Sequence, residues 1–195
     1  MTPRPSTAET DMGEAREQLL ARVMAHVAET GLSDVSLREI ADAVGTSHRM
    51  LHYHFGGRDG LVAAIVGAME AQQREALQEL AEGASSPAEV VRAQWAALSR
   101  PEVAPFVRLF FEVLALALHE RPGTEGFLDG LTQPWIDVGD EVAERIGAEV
   151  DAAELRLGIA VMRGLLVDAL ASGDVDAAGA ALERFLVLWE TDRRS

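Results

Sequence analysis

The sequence predicts an all-α protein of about nine helices, in which three N-terminal helices precede a larger C-terminal helical domain. Two observations predict this class. Apolar residues recur with the period of an amphipathic helix along most of the 195 residues. No run of alternating β-branched residues could form a strand, and capping and turn residues separate the periodic segments. The length allows one domain, or a small domain joined to a larger one.

The chain opens on a polar segment that an amphipathic helix follows. Residues 1–12 are rich in Pro, Ser, Thr and acidic residues, which favours a disordered tail. Apolar residues then form one stripe from Glu14 to Thr30, and Gly31 supplies a residue that can end a helix in the left-handed conformation. The stripe consists of Leu19, Leu20, Val23, Met24 and Val27.

Two short helices come next, and each begins at a capping residue. The first covers residues 36–44, where Ser36 and Glu39 have the spacing of a capping box. The second begins at Thr46 or Ser47 and ends before a Gly-Gly pair.

Capping and turn residues also separate the remaining helices. We predict them over residues 58–82, 87–99, 103–120, 125–147, 151–172 and 175–191. Ser86 and Asp151 are capping residues, and Pro134 should kink or split the helix in which it falls. These boundaries predict a tail (1–12), a helix-turn-helix domain (13–57), a connecting helix (58–82) and a C-terminal domain (83–195).

The small and apolar residues of the two short helices have the spacing of a helix-turn-helix. Ala41 is small where the helices cross, and Gly45 can take the left-handed conformation of a tight turn. Ile40, Val44 and Leu51 are spaced to fill the wedge between the helices. Structural helical hairpins share this pattern, so it leaves DNA recognition and a structural role equally open.

The distribution of charge favours DNA recognition. The formal net charge of the chain is −15, which by itself repels phosphates. Residues 36–58, however, have a net charge of +1, which leaves −16 for all the others. This segment also holds three of the five histidines and the single tyrosine, whose side chains can donate to phosphates or stack against sugars and bases. One segment of an acidic protein is thus suited to a nucleic acid.

Residues 36–61 read SLREIADAVGTSHRMLHYHFGGRDGL. With the preceding helix, from about residue 14 to residue 65, this order of residues resembles the N-terminal domain of the TetR family of transcriptional regulators. The length, the long fourth helix and the all-helical remainder are also similar to that family. The resemblance implies a homodimer that binds a palindromic operator in double-stranded DNA, usually as a repressor. It also implies a small-molecule effector, largely apolar, that binds the C-terminal domain and releases the DNA.

The resemblance further implies which residues contact DNA. They are Arg38, Thr46, Ser47, His48, Arg49, Met50, His52, Tyr53, His54 and Arg58. Three of them depart from the family's pattern, since Thr46 replaces an aliphatic residue, Arg49 a Gly or Pro, and His52 a Tyr. We hypothesise that Arg49 reads a guanine, whose two acceptors match the guanidinium. A phosphate contact or a solvated side chain is the alternative.

His48 and His52 also have the four-residue spacing of metal ligands on a helix. No carboxylate falls on the same turn, and DNA contact accounts for the same side chains. We therefore expect no metal site and no cofactor.

Most aromatic residues lie in the C-terminal domain, where the resemblance implies an effector pocket. The predicted helix 103–120 is apolar nearly all round, except for a stripe with Arg108, Glu112 and His119. Such a helix lines a cavity with a few polar anchors, or else Arg108 and Glu112 form a surface pair. The predicted pocket residues are Trp95, Phe106, Phe110, Leu114, Trp135, Arg108, His119 and Met162.

The last two predicted helices resemble the dimerisation helices of the TetR family. Residues 155–170 are apolar on two sides, and Gly158 and Gly164 would allow close helix approach. The predicted interface residues are Leu155, Ile159, Arg163, Leu166, Leu170, Leu182, Phe185, Leu186 and Trp189. A purely intramolecular core is the alternative. Arg156 and Arg163 are expected to reach the pocket or to pair across the interface, and of these an interface position or an ion pair is favoured.

Composition and missing motifs narrow the classes of protein to which this chain could belong. The absence of cysteine excludes disulfides and thiolate chemistry. The N-terminus lacks the apolar core of a signal peptide, and no apolar stretch could cross a bilayer, so we expect a cytoplasmic protein without membrane contact. No nucleophile motif or phosphate loop is present, so we expect no enzyme and assign no catalytic residues. An acidic protein-interaction module or a small-molecule-processing enzyme are the alternatives.

Overall fold

Nine α-helices and two one-turn 3₁₀-helices form the part of the chain that the computed structural model describes, residues 7–30, 36–122 and 124–192. The α-helices are α1 Thr7–Thr30, α2 Leu37–Ala43, α3 His48–Phe55, α4 Arg58–Leu80, α5 Pro87–Leu98, α6 Ala104–Leu118, α7 Gln133–Arg145, α8 Ala152–Ser172 and α9 Val175–Asp192. The 3₁₀-helices cover Ala81–Gly83 and Leu128–Gly130. The predicted all-α class with nine helices is confirmed.

Side-chain caps begin the helices where the sequence indicates them. Ser36 Oγ accepts a hydrogen bond from the Glu39 backbone N–H, and the Glu39 carboxylate accepts one from the Ser36 N–H. Asp151 and Glu154 form the same reciprocal pair at the start of α8. Ser86 caps α5 by accepting from the backbone N–H three residues later. These bonds satisfy amide groups that have no partner inside a helix.

The predicted disordered tail is partly wrong. Helix α1 already begins at Thr7, so residues 7–12 have helical backbone. The helix therefore begins about two turns before its predicted start at Glu14. Residues 1–6 and the expected helix stop at Gly31 lie outside the described residues.

The predicted helix over residues 125–147 is too long. Residues 125–132 form turns and a 3₁₀-helix, and α7 begins only at Gln133. Pro134 lies in the first turn of α7, where its missing N–H would have no helical acceptor. The proline therefore begins a helix here, and it does not kink one.

The N-terminal core is continuous with the rest of the molecule through α4. Its most deeply buried side chains come from all four of the first helices, and include Val23, Ile40, Leu51, Leu61 and Ile65. Phe110 and Val113 of α6 belong to the same cluster. Helix α4 also contacts α5 and α7. It is thus shared between the small N-terminal group of helices and the C-terminal ones.

The second core joins α5, α6, α8 and α9. Its buried residues include Trp95, Val107, Met162, Leu182 and Leu186. Within the described ranges, no helix is both long enough and apolar enough to cross a membrane.

Glycines allow close packing at positions other than the predicted ones. A Cβ added to Gly139 of α7 would lie 2.8 Å from Leu155 Cδ2, and one added to Gly179 of α9 would lie 3.2 Å from Trp95 Nε1. A Cβ at Gly158 or Gly164 would have no atom within 4 Å. The expectation of close approach at Gly158 and Gly164 is therefore wrong within this chain.

Candidate nucleic-acid interface and internal cavity

Helices α2 and α3 form a helix-turn-helix whose turn is fixed by its backbone. Gly45 has a φ of 68°, in the left-handed region that favours glycine. The next N–H, of Thr46, donates to the Ala41 carbonyl at 2.9 Å. Ala41 is completely buried and Ile40 and Leu51 nearly so, as expected for residues that fill the wedge between two crossed helices.

Ser47 caps the start of α3, and two buried residues decide which face of the helix is exposed. Its Oγ accepts a hydrogen bond from the Met50 N–H at 3.1 Å. Leu51 and Phe55 point into the core, so the side chains between them point outward. A hydrophobic residue at each turn thus holds the helix against the protein with its other face free to meet a ligand.

The ten predicted DNA-contact residues lie on α2, on the turn, on α3 and at the start of α4. Eight of them are exposed, namely Arg38, Ser47, His48, Arg49, Met50, His52, Tyr53 and Arg58. The Tyr53 side chain is 64% exposed. Thr46 and His54 are half-buried, which limits the contacts that they can make. The arrangement brings an aromatic, imidazole and guanidinium surface together on one short helix.

Two arginines of α1 support the helix-turn-helix from behind, and the sequence did not reveal them. Arg16 Nε donates to the His54 carbonyl at 3.3 Å, and its guanidinium lies 5.1 Å from the centre of the Phe55 ring. Arg22 Nη1 donates to the Val44 carbonyl at 3.2 Å. These carbonyls lie at the C-terminal ends of α3 and α2, where a positive charge favours a helix. The only sequence signal is that both arginines flank the apolar stripe of α1.

A cavity of about 130 Å³ lies among α4, α5, α6, α7 and α8. Of the eight predicted pocket residues, Phe106, Phe110, Trp135 and Met162 line it. The other four predicted residues do not line it. Trp95 packs against Gly179 of α9, Leu114 packs on the N-terminal core, and Arg108 and His119 are exposed. Only the N-terminal half of α6 borders the cavity, so residues further along the helix cannot reach it.

The polar side of the cavity is a buried glutamate next to an arginine. Trp135 Nε1 donates to Glu70 Oε2 at 2.7 Å, and Arg163 Nη2 lies 3.9 Å from the same oxygen. Arg163 also donates to the Leu131 carbonyl, and its guanidinium lies 5.5 Å from the centre of the Phe110 ring. Glu70 was not predicted, because on sequence alone it is one acidic residue among 32.

Burial shifts the pKa values of both charged groups. Removal from water raises the pKa of Glu70, although the bond from Trp135 and the charges of Arg163 and Arg74 oppose that shift. Burial lowers the pKa of Arg163, and the negative charge of Glu70 opposes this. Desolvation therefore outweighs the attraction between the two groups, which do not form a close ion pair.

The residues predicted for a dimer interface face the interior of the chain. Leu166, Leu182 and Leu186 are buried in the second core, and Leu170 and Phe185 pack against it. Leu155, Ile159, Arg163 and Trp189 line the cavity, as Leu166 also does. These contacts within the chain leave the predicted dimer contacts as predictions. The apolar surface of α8 has two sides, and sequence spacing does not show which side meets the chain's own core.

The outer sides of α8 and α9 carry a different apolar surface. On α8 the exposed residues Leu157, Ala160, Gly164 and Val167 recur every three or four positions and so share one face. Val187 and Leu188 are about half exposed on α9. We call this set of residues the outer α8–α9 face.

A second cavity, of about 370 Å³, lies between α1, α4 and the turns at residues 125–131. Arg16 and Arg74 border it, and Glu70 borders both cavities. The side chain of Glu70 therefore separates the apolar cavity from a space that reaches Arg16, which holds the end of α3.

Comparisons with known proteins agree with this geometry. Residues 19–65 match the family model of the bacterial regulatory proteins of the tetR family. Two curated relatives, both from Chromohalobacter salexigens, are the HTH-type transcriptional regulators BetI 2 and BetI 1. The chain is 32% identical to the first over 71 residues, 36% of this chain and 31% of the relative. It is 31% identical to the second over 86 residues, 40% of this chain and 39% of the relative. The matches thus span less than half of either relative.

A solved structure resembles the whole chain. It is a TetR-family transcriptional regulator from Pectobacterium atrosepticum, with a TM-score of 0.64 and 24% sequence identity, and the match covers 95% of each chain. At this identity the likeness concerns the fold, which includes the C-terminal helices that the family model does not cover.

Proposed function

We propose that the chain is a member of the TetR family of bacterial regulatory proteins and acts as a ligand-responsive repressor of transcription. It binds a palindromic operator in the cytoplasm as a homodimer, and a small, largely apolar effector releases it. The family match supports a regulator over both alternatives, an enzyme and an interaction module that does not bind DNA.

The exposed surface of α3 is the observation that carries DNA binding. His48, Arg49, Met50, His52 and Tyr53 project from a helix whose opposite face is buried. Such a helix can enter the major groove, where arginine and polar side chains reach base edges and phosphates. Because the rest of the chain is strongly acidic, non-specific affinity for DNA should be weak, and binding should depend on contacts made by this surface.

The outer α8–α9 face supports the homodimer. Apolar side chains that recur on one face of a helix are usually covered, and a second copy that offers the same face would form a bundle of four helices. A twofold axis would then place two copies of α3 about 34–36 Å apart, the length of one DNA turn. That spacing selects two half-sites arranged as a palindrome.

Helix α4 offers a route from effector to DNA. Its N-terminal half packs against α3 through Leu61 and Ile65, and Glu70 further along lines the cavity. A ligand that binds better when α4 has moved would favour that position and so change the spacing of the two α3 helices. The ligand can shift the equilibrium only by its difference in affinity for the two states.

The test is binding of the purified protein to the DNA that flanks its own gene, measured by fluorescence anisotropy over a range of salt concentrations. We expect specific binding that weakens steeply with salt, and that is lost in the double variant Arg49→Ala, Tyr53→Ala. Arg108→Ala removes an exposed arginine of α6 and serves as the control that should still bind. Absence of specific binding at low salt would contradict the proposal.

A further inference from the structure

The cavity wall includes a carboxylate, that of Glu70, of which only one oxygen has a hydrogen-bond partner in the described part of the chain. Glu70 Oε2 accepts the bond from Trp135, but Oε1 has no hydrogen-bond partner among the described residues. The side chain is only 14% exposed. Every fully buried side-chain nitrogen or oxygen in the described ranges has a partner, so Oε1 is not fully buried and is accessible from a cavity that Glu70 borders, the apolar one or the second one. Oε1 is therefore a hydrogen-bond acceptor without a donor, and a ligand can supply that donor.

The neighbouring charges do not supply that donor. Arg163 Nη2 lies beyond hydrogen-bond distance of Glu70 and donates to the Leu131 carbonyl instead. Glu154, the second acid of the cavity wall, accepts bonds from Trp189 Nε1 and from the Asp151 N–H. The charged residues that line the cavity are thus two glutamates and one arginine, in a chain of net charge −15. Two carboxylates against one guanidinium favour a cation in the cavity, although Arg74, whose guanidinium lies 5.8 Å from the centre of the Trp135 ring, offsets part of the charge of Glu70.

The size and the walls of the cavity limit the rest of the ligand. A dry cavity of about 150 Å³ holds benzene, so about 130 Å³ suits one ring or a branched alkyl group. Most of the wall is aliphatic or aromatic, and the rings of Phe110 and Trp135 lie beside Glu70 and Arg163. Aromatic faces attract a cation as well as an apolar body.

We propose that the effector is a small lipophilic amine, bound as a cation, whose ammonium donates to Glu70 Oε1 while its apolar body fills the cavity. This inference rests on the proposed function only in naming its ligand an effector. Binding of the amine itself requires neither DNA nor a dimer.

Calorimetric titration of the full chain without DNA tests the charge. The probes are three matched sets of ligands. Each set has one apolar group, benzyl, 2-phenylethyl or cyclohexylmethyl, and consists of the amine, the alcohol and the carboxylate that carry this group. We expect the amine of the best-fitting set to bind at least about tenfold more tightly than its alcohol, as for a hydrogen bond to a charged group. The carboxylate should bind most weakly. Equal binding of amine and alcohol in all sets, tighter binding of a carboxylate, or no binding at all overturns the proposal.

Glu70→Gln tests whether the charge of Glu70 selects the amine. The amide oxygen can still accept from Trp135 Nε1, so the wall keeps its shape while the charge is lost. The preference for amine over alcohol should fall to about threefold or less, and binding of the alcohol should change little. Glu144→Gln removes an exposed glutamate of α7 and should keep the full preference. An unchanged preference in Glu70→Gln overturns the assignment.

Gly158→Leu tests whether the amine binds in this cavity. A Cβ at Gly158 meets no atom within 4 Å, and Gly158 lines the cavity, so a leucine can grow into the empty space. We expect loss of amine binding with unchanged helix content by circular dichroism. Amine binding that persists in this folded variant overturns the site. These titrations contain no DNA. A protein that does not bind the amine can therefore still bind its operator, and a protein that does not bind DNA can still bind the amine.

Discussion

Single residues acquire their roles here from what surrounds them. Glu70 and Glu144 are both glutamates on helices, yet one lies under an indole N–H in a cavity wall and the other is exposed. Burial makes the charged form of Glu70 costly, and its partners offset only part of that cost. The consequence can be measured as a dependence of stability on pH.

Wild type should lose stability relative to Glu70→Gln as pH rises from about 4 to about 8. The folded state raises the pKa of Glu70 above its ordinary value of 4.5, so at intermediate pH the folded chain holds a proton that the unfolded chain has released. The cost is absent below the unfolded pKa, grows as pH rises, and is complete above the folded pKa. Urea unfolding of both proteins across this range gives the difference directly. A difference that is constant, or that changes in the opposite sense, contradicts the pKa shift.

Arg49→Ala should relax operator preference at one base pair. Arg49 is exposed on the first turn of α3, and a guanidinium that bonds both acceptors of a guanine discriminates by about 1–3 kcal/mol. Affinities of wild type and variant for the operator and for operators changed at single positions would show this. Uniform weakening with unchanged preference would indicate a phosphate contact instead.

At the scale of elements, the ends of helices depend on local groups and the faces depend on packing. Ser36, Ser47, Ser86 and Asp151 cap helices as their sequence positions indicate, because a cap bond spans only three residues. The faces of α6 and α8 could not be assigned in the same way. Both helices are apolar on more than one side, so their neighbours decide which side lines the cavity.

Ser47→Ala should destabilise the protein by about 1 kcal/mol, the usual cost of losing a side-chain cap. Its Oγ is the only cap acceptor found for α3 in the described structure, so α3, which we propose as the recognition helix that enters the DNA groove, should itself fray. Ser47→Asp should restore the melting temperature, because Asp caps equally well, but it should not restore DNA binding, since its charge faces phosphates. Recovery of both properties by Ser47→Asp would mean that this turn does not approach DNA.

At the scale of the whole molecule, one helix connects the two functions proposed for this protein, DNA binding and effector binding. Helix α4 contributes Leu61 and Ile65 to the core beneath α3, and Glu70 to both cavities. Arg16 borders the second of these cavities and bonds the end of α3. Movement at Glu70 is thus adjacent to two contacts that position the recognition helix.

Val167→Glu should convert the proposed dimer into a monomer that remains folded. Val167 is exposed on the outer α8–α9 face, and a twofold axis would bring two added carboxylates close together. Analytical ultracentrifugation should give twice the chain mass of 21.0 kDa for wild type and 21.0 kDa for the variant. Leu118→Glu, at an exposed leucine of α6, should remain dimeric. A dimer that survives Val167→Glu would place the interface elsewhere.

The sequence by itself determined the all-α class, most helix boundaries, the helix-turn-helix and its exposed residues. All of these follow from local signals: caps, glycines with positive φ, and apolar residues spaced by one turn. Tertiary structure alone decided that Glu70 and Arg163 meet in the cavity, that Trp95 and Leu114 do not reach it, and that Leu182 and Leu186 face inward. These outcomes depend on contacts between residues distant in sequence, and a helix that is apolar on several sides has no local signal to choose among them.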